Sequence, residues 1–410
     1  MNPRMVFMKY MGWCPGVAAA AKFVPDREIS LKIMAVSGTI LLLIVIVLAF
    51  FEYSLWIPEN KEGPIGELPV EWASYFGGSE NDRGEYVRAT RDGGYLVVGY
   101  NNTLGIGESV YLLKISSNGT LQWGRTYGNT GWDVGRSVVE VEDGYVITGY
   151  ANEDLLLMKT DNQGETMWSR TYGNWSGFSV NEVGDGGYAV VGVSADDVLL
   201  LRTDEEGEML WSKTYGGAGK QLGFALQVMR DGGYLIGGIT GASPGGNIDF
   251  YVLKTDSHGE VIWSKTMGGS KGDWLCAVLE TPEDGVLAVG ERVSVNPYGG
   301  AGGSKTWAVK LDKNGKILWS KTYPGSCGFD AQRTSDGEYV ILSAIYGDVL
   351  LMKIDGEGNL EWSKAYGGPL DEVGSCLQVT EDGGYVVTGY QELTALDENI
   401  ILIKIPYLEE

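Results

Sequence analysis

Histidine and cysteine are scarce in this chain of 410 residues, which contains one His and four Cys. The single histidine, His258, lies in an Asp-Ser-His-Gly turn, so a His-rich zinc site and most catalytic triads with a His base are excluded. Three cysteines, Cys276, Cys327 and Cys376, lie in the second half of the chain. We expect three buried thiols there, and one disulfide among them is the alternative that the sequence leaves open.

Basic residues are also few, since 31 Lys and Arg stand against 54 Asp and Glu and give a formal net charge of −23. Such an acidic chain repels phosphate backbones, which excludes nucleic acid as a direct partner. Repeated Asp-x-x-Gly turns lack the acidic ligand spacing of a calcium loop. We therefore predict no catalytic residue, no metal and no cofactor.

Tryptophan, by contrast, recurs in register, at spacings of roughly 43 to 56 residues that match the period of propeller blades. The seven repeated positions are Trp72, Trp123, Trp168, Trp211, Trp263, Trp319 and Trp362. An Asp-x-x-Gly turn precedes most of them, as at Asp204 and Gly207, and suits a short hairpin because Gly adopts the left-handed conformation. Apolar runs on both sides of the turn predict two antiparallel strands.

A second turn with the same chemistry lies upstream in each unit, as in Asp382-Gly383-Gly384-Tyr385. Four residues after the Tyr position, most units place a glycine inside the following strand, as at Gly389. Glycine inside a strand indicates close approach of a bulky neighbour. We expect the repeated Trp to dock into this space, from the same blade or the next one.

These signals predict an all-β fold, a seven-bladed β-propeller of four-stranded blades. The last unit stops after its third strand, near Lys404, whereas residues 69–76 form a Trp strand with no unit before it. We expect this N-terminal strand to join the last blade and close the ring.

The chain before the repeats divides into three segments. Residues 1–32 are basic and are predicted to be cytoplasmic, and residues 33–51 form an uncharged run long enough for one transmembrane helix. Residues 52–68 have linker composition, and residues 69–410 form the propeller. Acidic residues follow the apolar run, so the positive-inside rule places the propeller outside the cell membrane as a single-pass protein. A cleaved signal peptide is the alternative.

Binding residues are expected on the long loops between second and third strands and on the loops after the Trp strands. The candidates for a ligand or partner face are Trp132, Trp175, Trp274, Pro297 and Tyr298. Aromatic rings at these places could anchor a protein or stack on sugars, or they could pack between blades. Candidate glycosylation sites are Asn101, Asn118 and Asn174.

The repeats DGGYVVTGY, LLMKTD and WSKTYGG resemble those of secreted and membrane-anchored propeller proteins of archaea and bacteria. More distantly, the Asp, Gly and Trp of each unit resemble the tryptophan-docking motif of quinoprotein alcohol-dehydrogenase-like propellers. That resemblance implies pyrroloquinoline quinone near two adjacent cysteines, with calcium beside it. No two cysteines are adjacent here, so the non-catalytic relatives that serve as scaffolds match better.

The expected function is that of a membrane-anchored extracytoplasmic scaffold that binds another protein or a surface polymer through the long-loop face. A cofactor-binding, quinoprotein-like enzyme or electron carrier is one alternative. A carbohydrate-binding adhesin is the other.

Overall fold

Apolar runs and Asp-Gly turns alternate along the chain. The structure, a computed structural model, describes residues 70–407 apart from residues 79, 103–106, 129–130, 218, 242–246, 270, 296–300 and 395–396. This part of the chain forms 28 β-strands. It contains no helix long and apolar enough to cross a membrane. The predicted transmembrane segment, residues 33–51, and the linker lie outside the described residues.

The strands form seven four-stranded antiparallel sheets, the blades. Blade 1 contains β2 (Arg83–Ala89), β3 (Tyr95–Asn101), β4 (Ser109–Ile115) and β5 (Leu121–Tyr127). Blade 2 contains β6 (Asp133–Val141), β7 (Gly144–Ala151), β8 (Asp154–Thr160) and β9 (Thr166–Tyr172). Blade 3 contains β10 (Trp175–Glu182), β11 (Tyr188–Ser194), β12 (Asp197–Thr203) and β13 (Met209–Tyr215). Blades 4 and 5 contain β14 (Lys220–Val228), β15 (Tyr234–Gly241), β16 (Ile248–Thr255) and β17 (Val261–Met267); and β18 (Asp273–Glu280), β19 (Val286–Val295), β20 (Ala301–Leu311) and β21 (Ile317–Tyr323). Blade 6 contains β22 (Gly328–Arg333), β23 (Tyr339–Ile345), β24 (Asp348–Ile354) and β25 (Leu360–Tyr366).

Blade 7 combines both ends of the described chain. Its strands are β26 (Asp371–Val379), β27 (Tyr385–Thr394), β28 (Asp397–Ile405) and β1 (Trp72–Phe76), in the order β1-β28-β27-β26. Strand β1 pairs antiparallel with β28, with Trp72 opposite Lys404 and Phe76 opposite Ile400. The predicted fold class, an all-β seven-bladed propeller with four-stranded blades, is confirmed.

The core lies between the blades, because the second and third strands of each blade are apolar on both faces. Strand β3 is buried from Tyr95 to Tyr100, whereas outer strands such as β13 alternate between exposed and half-buried residues. Seven hydrophobic clusters of the described residues each join two neighbouring blades, and one of them joins blades 7 and 1 through Val87, Ile400 and Leu402. Burial of this apolar surface is the main favourable contribution to folding.

In six of the seven blades, the repeated Trp contacts the turn between the third and fourth strands of the following blade, which is Asp-x-x-Gly in five cases and Ser-x-x-Gly at Ser116. A β-carbon placed on the turn glycine would lie 2.6 to 3.1 Å from the Trp ring. These glycines, Gly119, Gly164, Gly207, Gly259, Gly315 and Gly358, have φ between 74° and 82°. Glycine is required here for two reasons, the left-handed backbone and the ring that covers it.

The strand glycines have a different neighbour, so the prediction that Trp fills the space beside them is wrong. A β-carbon on Gly149 would collide with the carbonyl of Val134, and one on Gly389 would collide with the carbonyl of Val373. Both carbonyls belong to the first strand of the same blade, next to a β-bulge. The bulge pushes the backbone towards the second strand, and only glycine leaves enough room.

An ion pair between a buried Lys or Arg and an exposed Asp joins the third strand of most blades to the turn between the first and second strands. Lys404 is 3% exposed, and its Nζ lies 2.8 Å from Asp382. Equivalent pairs, at 2.5 to 3.5 Å, are Lys114–Asp92, Lys159–Asp143, Arg202–Asp185, Lys254–Asp231 and Lys353–Asp336. The cation thus holds both hairpins of a blade together at the same face of the propeller, which we call the hairpin face.

Candidate functional site

The first strands of the blades surround a central channel, because each of them contacts the first strand of both neighbouring blades. Every first strand contains one bulge residue that has no partner on the second strand. These residues are Glu85, Arg136, Phe178, Phe224, Cys276, Phe329 and Ser375. Phe178 is buried and the other six are half-buried. The bulges therefore give each blade one side chain in the channel wall.

The bulge residues divide the channel into a polar arc and an apolar arc. Glu85 and Arg136, on blades 1 and 2, form an ion pair with 2.6 Å between Oε2 and Nη1. Phe178 and Phe224, on blades 3 and 4, pack edge to face with 5.2 Å between ring centroids. The sulfur of Cys276, on blade 5, lies 3.9 Å from that of Cys327.

The polar arc continues to the end of the channel opposite the hairpin face, which we call the long-loop face. Arg83, the first residue of β2, forms a two-point ion pair with Glu398 of blade 7, in which Nη2 lies 2.6 Å from Oε1. Two-point contacts of this kind fix the orientation of both side chains. The Arg83 side chain is 21% exposed and the Glu398 side chain is 10% exposed, so the pair is largely shielded from water.

Tyrosine rings support both guanidinium groups. Arg83 lies 4.1 Å from the ring centroid of Tyr390, and Arg136 lies 5.8 Å from that of Tyr150. Tyr100 pairs with Arg83 across the β2–β3 ladder. Stacking on an aromatic face stabilises a cation that has lost part of its water shell. We call Arg83, Glu85, Glu108, Arg136 and Glu398, with Tyr100, Tyr150 and Tyr390, the channel-mouth cluster.

The charges of the channel-mouth cluster do not cancel, because three carboxyl groups face two guanidinium groups. Burial would lower the pKa of Arg83, but its interactions, among them the hydrogen bond to Glu398, raise this pKa overall. Burial would likewise lower the pKa of Arg136, but its interactions, among them the charge of the Glu85 carboxylate, raise it overall. Burial raises the pKa of Glu108 to about 7, against the opposite effect of Arg136. Glu108 is thus the group in the cluster that changes charge near neutral pH.

Of the five candidate residues for the partner face, Trp132 is the most exposed of those described, at 38%. Trp175 is half-buried against the core between blades 2 and 3. Trp274, the second residue of β18, is only 8% exposed, so its ring is not available on the surface. Pro297 and Tyr298 lie outside the described residues.

Trp132 stands at the rim of a groove between blades 1 and 2 on the long-loop face. Its backbone carbonyl accepts a hydrogen bond of 3.0 Å from Asn152. The groove has a volume of about 460 Å³ and is lined by Tyr127, Gly131, Asn152 and Leu156, among others. The next residue, Asp133, donates its N–H to the carbonyl of Glu108. This hydrogen bond places the segment of Trp132 directly beside Glu108 of the channel-mouth cluster.

Sequence reasoning missed two features of this face. Tyr346, in a tight turn of blade 6, is 88% exposed with φ of 54°. The bulge residues were also missed, although a glycine precedes six of the seven, as in Gly84-Glu85 and Gly135-Arg136. That repeated glycine, followed by a residue whose type differs from blade to blade, was the feature of the sequence that could have indicated the bulges.

The candidate glycosylation sites lie in different environments. Asn118 and Asn174 are exposed in turns, whereas Asn101 is half-buried, with its amide nitrogen 3.5 Å from the hydroxyl of Thr126. Asn118 also accepts hydrogen bonds from Ser116 and Thr120 within its own turn. Asn118 and Asn174 are therefore both accessible for modification, whereas Asn101 is less so.

In the described part of the chain, Cys276, Cys327 and Cys376 form no disulfide bond with one another. Among the residues that the structure describes, no group of three or more His, Cys, Asp or Glu side chains has the arrangement of a metal site.

The fold defines a class, the seven-bladed propellers, and solved structures share it. The WD40 β-propeller domain of Doa1 has a TM-score of 0.52 at 12% identity, over 81% of this chain and 97% of that chain. The WD40 domain of Pan2 from Neurospora crassa has a TM-score of 0.56 at 10% identity, over 84% and 98%. Sqt1 from Chaetomium thermophilum has a TM-score of 0.52 at 12% identity, over 79% and 84%. No family model and no curated protein matches the chain.

Proposed function

We propose that this protein is a membrane-anchored extracytoplasmic propeller that binds another protein through its long-loop face. The observation that carries this proposal is the exposed ring of Trp132, in a segment that lies beside the channel-mouth cluster on blades 7, 1 and 2. An exposed aromatic ring beside shielded, oriented charges is typical of protein interfaces. The WD40-like fold agrees with this, since such domains commonly serve as interaction scaffolds.

The chemistry of the surface favours a basic partner. Glu108 is the third carboxyl group beside two ion pairs, and the whole chain has a net charge of −23. A Lys or Arg side chain from a partner would neutralise Glu108 in a region with little water, where charge pairs are strong. Binding should then strengthen as the pH rises through about 7, because Glu108 becomes ionised.

The proposed anchor is the apolar segment of residues 33–51, with the propeller outside the membrane. The first described residues support the orientation. Glu71 donates its N–H to Lys404 and Trp72 covers Gly119, so the chain enters β1 at the hairpin face. The tether then lies on the side opposite the long-loop face, which is left accessible. We also infer that the pairing of β1 with β28 closes the ring.

Site-specific photo-crosslinking in native membranes tests the proposal. A photoreactive residue is placed at Trp132, at Tyr346 or, as a control, at Leu210, which is 57% exposed on an outer strand. We expect one protein to be crosslinked from position 132 and none from position 210, and we expect Glu108→Gln to weaken the crosslink. Equal labelling from all three positions, or labelling of no protein, contradicts a specific interface on this face.

Two alternative functions have distinct outcomes. The exposure of Trp132 gives some support to a carbohydrate-binding adhesin. Glycans would then change the fluorescence of Trp132 and block the crosslink at this position. A cofactor-binding, quinoprotein-like enzyme or electron carrier predicts a coloured preparation from native membranes. A colourless preparation without a tightly bound small molecule would argue against it.

A further inference from the structure

Two thiols from neighbouring blades meet in the apolar arc of the channel. Cys276 is the bulge residue of β18 in blade 5, and Cys327 immediately precedes β22 in blade 6. Their sulfur atoms are 3.9 Å apart, although 51 residues separate them in sequence. A disulfide requires about 2 Å between sulfurs. The two sulfurs would therefore have to approach each other by about 2 Å to form a covalent bond.

The two thiols differ in access from the channel. Cys276 is half-buried and lies in the channel wall, whereas Cys327 is 0% exposed. A small reagent in the channel therefore reaches Cys276 first. In disulfide exchange the accessible thiolate attacks first, and a neighbouring thiol then resolves the mixed disulfide.

The third thiol of the propeller provides a control. Cys376, in blade 7, is 3% exposed, and its sulfur contacts the carbonyls of Val87 and Leu377 at 3.8 and 3.9 Å. Burial, together with the nearby Asp330 carboxyl group, raises the pKa of the Cys376 thiol well above its usual range. This thiol should be inert under conditions that modify Cys276.

We propose that Cys276 and Cys327 form a redox-active pair, which closes a disulfide between blades 5 and 6 when a low-molecular-weight disulfide enters the channel. The Cys276 thiolate attacks one sulfur of the reagent, whose S–S bond breaks, and the released thiolate takes up the proton that Cys276 lost. The Cys327 thiolate then attacks the Cys276 sulfur and displaces the second thiolate, which is protonated in turn. One reagent disulfide is reduced to two thiols, and two cysteine thiols become one disulfide.

The closed pair would change the channel as well as the blades. The bond ties the first strands of blades 5 and 6 together beside Phe329, the bulge residue of blade 6. A crosslink that closes a long loop restricts the unfolded chain, so the oxidised protein should resist unfolding better than the reduced one. The proposal does not depend on the partner suggested for the long-loop face.

Oxidised glutathione applied to the full-length protein tests the pair. After alkylation of the remaining thiols and tryptic digestion, Cys276, Cys327 and Cys376 lie on three different peptides, since Lys or Arg residues separate them. We expect the peptides of residues 272–292 and 322–333 to be joined, with the loss of two hydrogen atoms, and the Cys376 peptide to be alkylated. Reduction with dithiothreitol should restore both thiols.

Matched variants separate the two steps. Cys327→Ser should trap glutathione on Cys276, Cys276→Ser should leave Cys327 unmodified, and Cys376→Ser should form the same bridge as the wild type. Lasting glutathionylation of Cys276 in the wild type, without the joined peptides, overturns the proposal. So does a bridge that involves Cys376. The wild-type peptide map decides the matter even if one variant folds poorly.

Discussion

The indole ring of Trp319 covers Gly358 of the next blade so closely that a β-carbon on this glycine would lie 2.9 Å from two ring carbons. The ring also donates a hydrogen bond of 3.2 Å from Nε1 to the carbonyl of Gly356 in the same turn. Six of the seven blades are thus joined to the next by an aromatic ring on a turn. The repeated Trp and the repeated Gly are one interaction, made between blades.

Gly358→Ala should destabilise the propeller by about 3 kcal/mol, because the new methyl group meets the ring and the backbone has left-handed φ. The control lies in the same turn, since a β-carbon on Gly356 would meet nothing within 4 Å. Gly356→Ala should change the free energy of unfolding by less than about 0.5 kcal/mol. Urea unfolding followed by Trp fluorescence measures both, and equal losses would show that the ring contact is unimportant.

Tyr323 and Tyr366 occupy equivalent positions with different hydrogen bonding. The Tyr323 hydroxyl donates to the carbonyl of Gly358 at 2.8 Å. The buried Tyr366 hydroxyl has no hydrogen-bond partner among the described residues, because blade 7 has no turn between β28 and β1. Tyr323→Phe should therefore cost about 1 kcal/mol, and Tyr366→Phe should be neutral or stabilising. Thermal unfolding of the two variants tests the difference, and a larger loss for Tyr366→Phe would refute this account.

Glu108 should make stability fall as the pH rises. Burial raises its pKa from the ordinary value of 4.5 to about 7, so the folded state holds this proton more tightly than the unfolded state does. Stability is then highest below about pH 4.5 for this group and decreases until the pH passes about 7. Glu108→Gln should be more stable than the wild type at pH 8, by up to about 3 kcal/mol, and the difference should shrink towards pH 5.

Urea midpoints between pH 5 and 8 measure this effect of Glu108. Glu357→Gln, which removes an exposed carboxyl group in a turn of blade 6, provides the control for the loss of one negative charge. A Glu108→Gln variant with the pH dependence of the wild type would exclude Glu108 as its source.

The Lys404–Asp382 pair should stabilise the propeller except in strong acid. Burial would raise the pKa of Asp382, but the hydrogen bonds from Lys404, Thr380 and the Gly384 N–H, with the charge of Lys404, together outweigh it and lower the pKa to about 2. A carboxyl group with a lowered pKa contributes stability above its unfolded pKa, and this contribution is lost as the pH falls through about 2. Lys404→Met should cost about 1–3 kcal/mol at neutral pH and much less in acid.

Lys213→Met is the matched control for Lys404→Met, because Lys213 is 30% exposed and its partner Glu260 is 76% exposed, so this lysine is not buried. Exposed pairs contribute at most about 1 kcal/mol. Unfolding curves at several pH values measure both variants, and similar losses for Lys213→Met and Lys404→Met would contradict a special role for the buried lysine.

The sequence predicted the strands and turns well because each unit repeats them. Strand periodicity and Asp-Gly turns are local, and they placed residues 69–76 as a Trp strand that the structure pairs with β28. Contacts between blades were harder to predict, since the Trp repeat does not indicate which turn each ring covers. The ring of Trp319 lies on Gly358, whereas the glycine inside the strand avoids a backbone carbonyl.

The candidate site was less predictable than the fold. A bulge reverses the alternation of side chains, so Glu85 and Arg136 could not be assigned to the channel from a period of two. Trp274 looked like a loop residue, but its place at the start of β18 buries it. Arg83 and Glu398 meet only because the two ends of the described chain share neighbouring blades.

The pairing of Trp72 with Lys404 has a consequence for synthesis of the chain. A ribosome releases β1 first and β28 last, so β1 waits without a sheet partner while six complete blades emerge. Its arrival on blade 7 is then a late step of assembly, and it covers the turn at Gly119 at the same moment. A nascent chain that stops before Ile400 leaves both β1 and β27 with exposed strand edges, which chaperones and proteases recognise.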